Sequence, residues 1–190
     1  MARVRTARTP GELQAQFRDI AERAAALRRR FDAAAFAARP RPDGWSAAEC
    51  LAHLNISADP YFPMWRDAVA RSAGTTQPPR EAPRLDFWGW VLVWTLEPPP
   101  RFRFPTTPPF QPVDAGSIDV VLPAFLERQA RILDALDQLR GAALDAVKVT
   151  SPFERRVRYS IWSSFCVIAA HERRHLWQAE RALQQVTGHE

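Results

Sequence analysis

Proline is distributed so unevenly in this chain that it decides where long helices can form. Ten of the 17 prolines lie between Pro78 and Pro112. Because proline lacks a backbone N–H and clashes with the preceding turn, it excludes a long helix from most of this stretch. On both sides, apolar residues recur at three- and four-residue spacing, which is typical of amphipathic helices. The sequence therefore predicts an all-α fold, a four-helix bundle with a proline- and aromatic-rich insertion at residues 73–116 between the second and third helices.

The first predicted helix begins at a capping box. Thr9 can accept a hydrogen bond as the N-cap, Pro10 fits the first helical position, and Glu12 completes the box. The apolar stripe that follows continues through Ala35. This helix is therefore predicted to end before Pro40, because a residue that precedes proline avoids the helical conformation.

The second predicted helix starts at Ser46, and its capping-box partner is Glu49. Pro60 and Pro63 are expected to kink or interrupt the helix. It should then resume and continue to about Ser72.

The third and fourth predicted helices follow the insertion. Ser117 can cap the third helix, which should run to about Arg140 and stop at Gly141. Ser160 can cap the fourth, which should end near Gly188. Residues 142–159 are expected to be a connection, since Val147-Lys148-Val149 is too short to assign as a strand.

The insertion contains one short apolar segment of its own. Asp86 to Leu96 is predicted to be a helix that carries Trp88, Trp90 and Trp94. Exposing so many aromatic side chains to water is unfavourable. We therefore expect residues 85–104 to cover the bundle as a lid or to join two subunits.

Composition limits the remaining possibilities. An apolar fraction of 46% is sufficient for one hydrophobic core, so residues 1–190 are expected to form a single domain. Cys50 and Cys166 cannot form a disulfide framework, which favours a reducing, cytoplasmic location. The longest apolar stretch, from Leu85 to Leu96, is too short to span a bilayer, so no membrane partner is expected.

The net charge of +5 and a pI near 10.2 raise the question of nucleic-acid binding. The basic residues are nearly all arginine and are interspersed with acidic residues, with dense groups only at residues 28–30 and in the N-terminal arm. Such a pattern is typical of solvated helix faces, and no nucleic-acid motif accompanies it. Nucleic acid is therefore the less favoured partner, and a small-molecule substrate is expected instead.

Histidine is rare in this chain, and three of the four histidines can be brought together. His171 and His175 are four residues apart in the fourth predicted helix, so their side chains lie one turn apart on nearly the same face. His53 lies on the second predicted helix, and His189 lies near the C-terminus. If the two helices pack together, His53, His171 and His175 form a metal site with positions left open for water or substrate. Taken singly, His53 could instead be a satisfied core residue, and the pair could be solvated.

Residues 171–175 also match the H-E-x-x-H pattern, in which Glu172 would be the general base of a metalloprotease. Such proteases take a third ligand from farther along the chain, where only His189 is available. The protease interpretation is therefore less favoured. Glu172 remains a candidate catalytic residue that could flank the site, with a solvent-facing position as the alternative.

Three further polar residues are candidates for the surroundings of the pocket. Glu49 lies one turn before His53 and could orient its ring, although a capping role is the stronger interpretation. Ser164 and Gln178 lie on the same helix as His171 and could reach the pocket or serve helix packing. Cys50 could be a remote fourth ligand, but it is more simply read as a small core residue.

Two segments resemble the DinB-like family of metal-dependent enzymes, which includes the YfiT-like proteins. They are Trp45-Ser46-Ala47-Ala48-Glu49-Cys50-Leu51-Ala52-His53-Leu54 and Ala170-His171-Glu172-Arg173-Arg174-His175-Leu176-Trp177-Gln178. The resemblance implies a four-helix bundle, a divalent metal held by His53, His171 and His175, and often a homodimer. Characterised members of the family include thiol transferases and an isomerase that use low-molecular-weight thiols.

Together these observations predict a divalent-metal-binding protein that acts as a hydrolase or a thiol (S-)transferase. Zinc or nickel is the expected metal, with iron and manganese as alternatives, and a low-molecular-weight thiol is a candidate cosubstrate. The alternative is a bundle that binds a metal or ligand without catalysis. A fold of this type does not by itself determine the reaction.

Overall fold

The computed structural model describes residues 6–72, 78–102 and 105–188, and these residues are mostly helical. The helices are α1 (Pro10–Arg30), α2 (Ala33–Ala37), α3 (Ala47–Ala58), α4 (Tyr61–Ser72), α5 (Phe87–Leu96), α6 (Ile118–Gln138) and α7 (Ile161–Thr187), with a 3-10 helix at Pro108–Phe110. The strands are β1 (Lys148–Thr150) and β2 (Arg158–Ser160). No helix in these described ranges is both long and apolar enough to cross a membrane.

The prediction of one continuous first helix is wrong after Arg30. Helix α1 ends at Arg30, and Asp32 then begins a separate short helix, α2. The Asp32 carboxylate accepts a hydrogen bond from the backbone N–H of Ala35 at 2.8 Å. A short aspartate side chain competes with the helical backbone in this way, so it favours a new N-cap over continuation of the stripe.

The break at Pro60 and the N-caps of the later helices were predicted correctly, but Pro63 lies within the first turn of α4 and does not interrupt it. Helix α3 ends at Ala58 and α4 resumes at Tyr61. The capping box of Ser46 and Glu49 is present in both directions. Ser117 caps α6 and Ser160 caps α7. The C-terminal end of α7 at Gly188 is left-handed, with φ +69°, as expected of a glycine stop.

The core is formed by α1, α3, α6 and α7, in which α1 and α3 each pack against both α6 and α7. Helix α7 is the central element, because α1, α2, α3 and α5 all pack against it. Aromatic packing ties α4 to it, since the Trp65 and Phe165 rings stack at 4.0 Å and an interplanar angle of 12°. The two histidine-bearing helices, α3 and α7, are therefore direct neighbours.

The connection before α7 contains two strands that the sequence did not predict. They pair antiparallel, with Val149 opposite Tyr159. Each strand has only three residues, so periodicity gives no signal over such a length. The hairpin matters to function because its turn carries Phe153 towards the histidines.

The apolar segment at residues 86–96 forms α5, as predicted, and packs on α7. The two helices approach each other closely at Gly89 of α5, where an added Cβ would lie 2.3 Å from the Ser163 Oγ of α7. The opposite face is exposed, and Phe87, the extreme case, is 67% exposed. This exposed aromatic face consists of Phe87, Trp88, Trp90 and Trp94, with Phe102 following the helix. The expectation that this segment covers the bundle therefore holds for one side of the helix only.

Candidate metal centre

The structure brings together the three predicted histidines from two helices. His53 comes from α3, and His171 and His175 come from consecutive turns of α7. Each offers one ring nitrogen, and these three atoms all lie within 4.8 Å of one another. In the part of the chain that the structure describes, no cysteine, aspartate or glutamate joins this cluster. We call these three residues the histidine triad.

The spacing of the triad fits a divalent metal. The Nε2 atoms of His53 and His171 are 3.1 Å apart. Two nitrogens bound tetrahedrally to zinc at about 2.0 Å lie roughly 3.3 Å apart, which is close to that separation. The Nδ1 atoms of His171 and His175 are buried and have no hydrogen-bond partner among the described residues. A set of neutral imidazoles is suited to zinc, nickel, iron or copper.

Backbone geometry fixes the orientation of one triad ring. The Nδ1 of His53 lies 2.7 Å from the carbonyl oxygen of Phe110, to which it donates. That hydrogen bond leaves the lone pair on Nε2, which faces the other two histidines. The Ser57 hydroxyl lies 3.4 Å from the same Nε2. Ser57 is one turn after His53, so its i+4 spacing was the signal that could have identified it as a pocket residue.

Burial keeps the triad neutral. It lowers the pKa of His53, and the Phe110 carbonyl partly opposes that effect. Burial, the neighbouring His53 and Arg174 hold the pKa of His171 well below its usual value. Burial and the other two triad histidines do the same for the pKa of His175. Neutral imidazoles have free lone pairs, which is the state that a metal ion requires.

Glu172 does not face solvent, which rules out one of its two predicted positions. The side chain is buried, and its Oε1 accepts a hydrogen bond from Gln129 on α6 at 2.9 Å. Its Oε2 has no partner among the described residues. Burial raises the pKa of this carboxyl to about 8, although Gln129 and Arg173 act in the opposite direction. Its hydrogen bond is made to α6, and its catalytic role stays a prediction.

Glu49 has the capping role that the sequence favoured. Besides its bonds to Ser46, the carboxylate pairs with Arg39. Burial raises the pKa of Glu49, but the hydrogen bonds from Arg39 and Ser46 outweigh that effect and leave it below its usual value. None of its hydrogen bonds is made with His53.

Of the other predicted pocket residues, one serves helix packing and one interacts with the triad. Ser164 is buried, accepts a hydrogen bond from the Trp65 indole at 2.8 Å and donates to the Ile161 carbonyl, so it serves helix packing. Gln178 interacts with His175 and is the one influence that raises the pKa of that ring. Cys50 and Cys166 are free and buried, and neither belongs to the triad cluster. His189 lies outside the described residues.

Three aromatic residues that the sequence did not identify contact the triad. The Trp45 ring lies 5.0 Å from that of His53 and 5.9 Å from that of His175. The Phe153 ring lies 6.1 Å from that of His171, and Phe110 packs on Phe153 at 4.5 Å. We call Trp45, Phe110 and Phe153 the aromatic collar. They come from three separate segments, so no spacing in the sequence links them.

Two surface cavities lie away from the triad. One, of about 340 Å³, is lined by residues of α4 and α6 such as Phe62 and Arg131. The other, of about 210 Å³, lies between the start of α1 and the end of α6. No triad histidine lines either cavity, so size alone does not identify the candidate site.

Fold and site together define a mostly helical protein with a three-histidine cluster that can hold a metal ion. The chain belongs to the DinB superfamily, whose family model matches residues 12–179 and so spans both histidine-bearing helices. Searches of the curated proteins and of the solved structures found no match to this chain.

Proposed function

We propose that this protein is a metal-dependent thiol (S-)transferase in which His53, His171 and His175 hold a divalent metal. The observation that carries the proposal is the convergence of three neutral ring nitrogens within 4.8 Å, with no acidic or thiol group in the cluster. The DinB superfamily includes metal-dependent proteins, which is consistent with it. Zinc or nickel suits three imidazoles best, and iron or manganese is the alternative.

A bound metal would supply Lewis acidity that favours the thiolate form of a thiol substrate near pH 7. The chain's own groups position and enclose the reactants. Phe110 holds the His53 ring through its carbonyl oxygen. Trp45 packs on two of the three ligand rings and keeps water from that side of the triad. Gln178 is placed to orient His175.

A metal-dependent hydrolase is the second candidate, and Glu172 distinguishes the two. A hydrolase of the H-E-x-x-H type needs Glu172 as a base for water, whereas a thiolate held by the metal needs no protein base. The hydrogen bond of Glu172 to Gln129 on α6 favours the thiolate route. The metalloprotease interpretation is disfavoured for the same reason.

The test measures metal content first and activity second. The purified protein should contain close to one divalent metal per chain, and it should transfer a low-molecular-weight thiol to an electrophilic small molecule. The Glu172→Gln variant should keep most of this activity, while His171→Ala should lose it. Equal loss in both variants at matched metal occupancy would instead assign Glu172 as the catalytic base.

A non-catalytic metal-binding bundle is the remaining alternative. It would show full metal occupancy, no exchangeable position at the metal and no turnover with any thiol.

Nucleic-acid binding is less favoured because the arginines are engaged in scattered ion pairs, such as Arg23 with Glu180 and Arg128 with Asp59. Salt-dependent retention on DNA would be the contrary result.

The same proposal includes the architecture and the assembly. We take α1, α3, α6 and α7 as the four-helix bundle of a single domain, because α1 and α3 each pack against both α6 and α7, and we take residues 73–116 as its insertion. We take the exposed aromatic face of α5 as the surface of a homodimer, since its side chains contact mainly one another. The unpaired Cys50 and Cys166 are consistent with a cytoplasmic location. Sedimentation velocity of the wild type and of Trp90→Ser tests the dimer.

A further inference from the structure

The aromatic collar lies at the side where the triad meets solvent. His53 and His175 are buried, whereas His171 is half-buried. Phe153, whose ring is the aromatic neighbour of His171 outside the triad, is 38% exposed. The accessible edge of the triad is therefore bordered by an exposed aromatic ring.

The collar extends this border around the triad. Phe110 and Phe153 are in contact, and the Phe153 ring also lies 6.0 Å from that of Tyr61. On the other side, the Trp45 ring is stacked on His175 at an interplanar angle of 28°. Trp45 and Phe110 are both partly exposed. Aromatic faces in such an arrangement favour a planar apolar partner, through offset or edge-to-face contacts.

Arg174 directly precedes His175 in α7, but its guanidinium group is bound elsewhere. Arg174 is itself committed to the carbonyl oxygens of Thr95 and Phe102. An open metal site with an apolar border is typical of a ligand that combines one anionic metal-binding group with an apolar body.

We infer that the aromatic collar is the binding site for the apolar body of the substrate, and that the substrate is a small thiol whose sulfur lies next to an aromatic ring or a similar apolar group. This inference rests on the proposed function, since the sulfur is assigned to the metal held by the triad. Phe153 and Trp45 then determine specificity. Phe153 is the better residue to substitute, because its ring contacts one ligand ring whereas that of Trp45 contacts two.

Two thiols that share a metal-binding group but differ in their apolar body test this assignment. Benzyl mercaptan and 2-mercaptoethanol are titrated into the cobalt(II)-loaded protein, and binding is followed by visible absorbance. Benzyl mercaptan should bind about tenfold more tightly, the scale expected for burying one aromatic ring against others.

Substitutions at the collar locate the effect. Phe153→Ala should remove most of the tenfold preference, and Phe153→Leu should retain part of it because leucine is still apolar. Val120→Ala, which truncates a 69% exposed apolar side chain on α6, is the control and should retain the full preference. Chelator competition should give a cobalt(II) affinity within about twofold of wild type for all three variants.

The outcomes separate the two proposals. Normal metal binding with equal affinities for the two thiols, or an equal preference in Phe153→Ala and Val120→Ala, overturns this inference and leaves the proposed function standing. Failure of the wild type to bind cobalt(II) or zinc overturns both. Loss of metal binding in Phe153→Ala and Phe153→Leu alike would make Phe153 a structural support of the triad and would also overturn the inference.

Discussion

Helix α7 contributes to two polar clusters, one partly buried and one largely buried, that differ in how far their hydrogen-bonding groups are satisfied. At the α5–α7 junction, formed by Asp86, Gly89, Lys148, Ser160 and Ser163, every carboxylate oxygen of Asp86 has partners. Oδ1 accepts from the Gly89 N–H and the Ser163 hydroxyl, and Oδ2 accepts from the Ser160 N–H and from Lys148. In the histidine triad, the buried Nδ1 atoms of His171 and His175 have no partner among the described residues.

The difference separates a cluster that holds the fold together from one that is available for chemistry. A satisfied buried network rigidifies its surroundings, whereas an unsatisfied buried polar atom destabilises the protein by about 1–3 kcal/mol. Proteins keep such atoms mainly where a ligand or a reaction uses them. The junction should therefore control stability and the triad should control metal binding, and the four predictions below test that division.

The largest effect is expected at the triad. His53→Ala, His171→Ala or His175→Ala should each weaken zinc binding by at least about 100-fold, because an open site has few ligands to lose. Competition with a chromophoric chelator measures this affinity. Asp86→Asn is the control from the junction, and its zinc affinity should stay within about twofold of wild type. Full metal occupancy in all three histidine variants would contradict the site.

The second effect concerns the close approach of α5 and α7. Gly89→Ala places a methyl group 2.3 Å from the Ser163 Oγ and 2.4 Å from its Cβ, so the helices must move apart. The free energy of unfolding should fall by about 2–3 kcal/mol, as measured by urea denaturation. Gly11→Ala in α1 is the matched control, since nothing lies within 4 Å of its added Cβ. That change should leave stability unchanged or raise it by up to about 1 kcal/mol.

The third effect is the pH dependence of the junction. Burial raises the pKa of Asp86, but the hydrogen bonds from Lys148, Gly89 and Ser160 outweigh it and leave the pKa below its usual value. A lowered carboxyl pKa stabilises the fold above the unfolded value, about pH 4, and this contribution is lost as the pH falls through the folded value. Asp86→Asn should lose about 1–2 kcal/mol at pH 7. The gap to wild type should shrink as the pH falls below the unfolded value, about pH 4, and a gap independent of pH would contradict this account.

The smallest effect tests the cost of keeping the triad. His175→Leu removes a buried nitrogen that has no partner and retains an apolar side chain of similar size. The metal-free variant should therefore be as stable as metal-free wild type, or more stable by up to about 1 kcal/mol. Thermal denaturation of both proteins in a chelator measures the difference. A loss of several kcal/mol would show that the histidine stabilises the fold.

Sequence periodicity predicted most of the helices and failed where local chemistry opposed it. Local residues act on their own backbone and so determine three of these features. They are the end of α7 at Gly188, helix α5 and the break at Pro60. The apolar stripe through Ala35 predicted one continuous helix, which is wrong because Asp32 begins a new helix within it. Antiparallel pairing between residues 148–150 and 158–160 was missed, since a three-residue strand carries no usable pattern.

The sequence by itself determined the elements of the candidate site that depend on one helix. The i, i+4 spacing of His171 and His175 places both rings on one face, and Ser46 with Glu49 determines where the helix of His53 begins. These features need no knowledge of the rest of the chain, because each depends on bonds within a few residues.

Only the tertiary structure decided what surrounds those histidines. Contact between α3 and α7 brings His53 within 3.1 Å of His171, and Phe110 and Phe153 reach the triad from segments far apart in the chain. The same packing turns Glu172 towards Gln129 on α6 and buries it. Such placements depend on how helices pack across the core, and side-chain packing between distant segments leaves no periodic signal in the sequence.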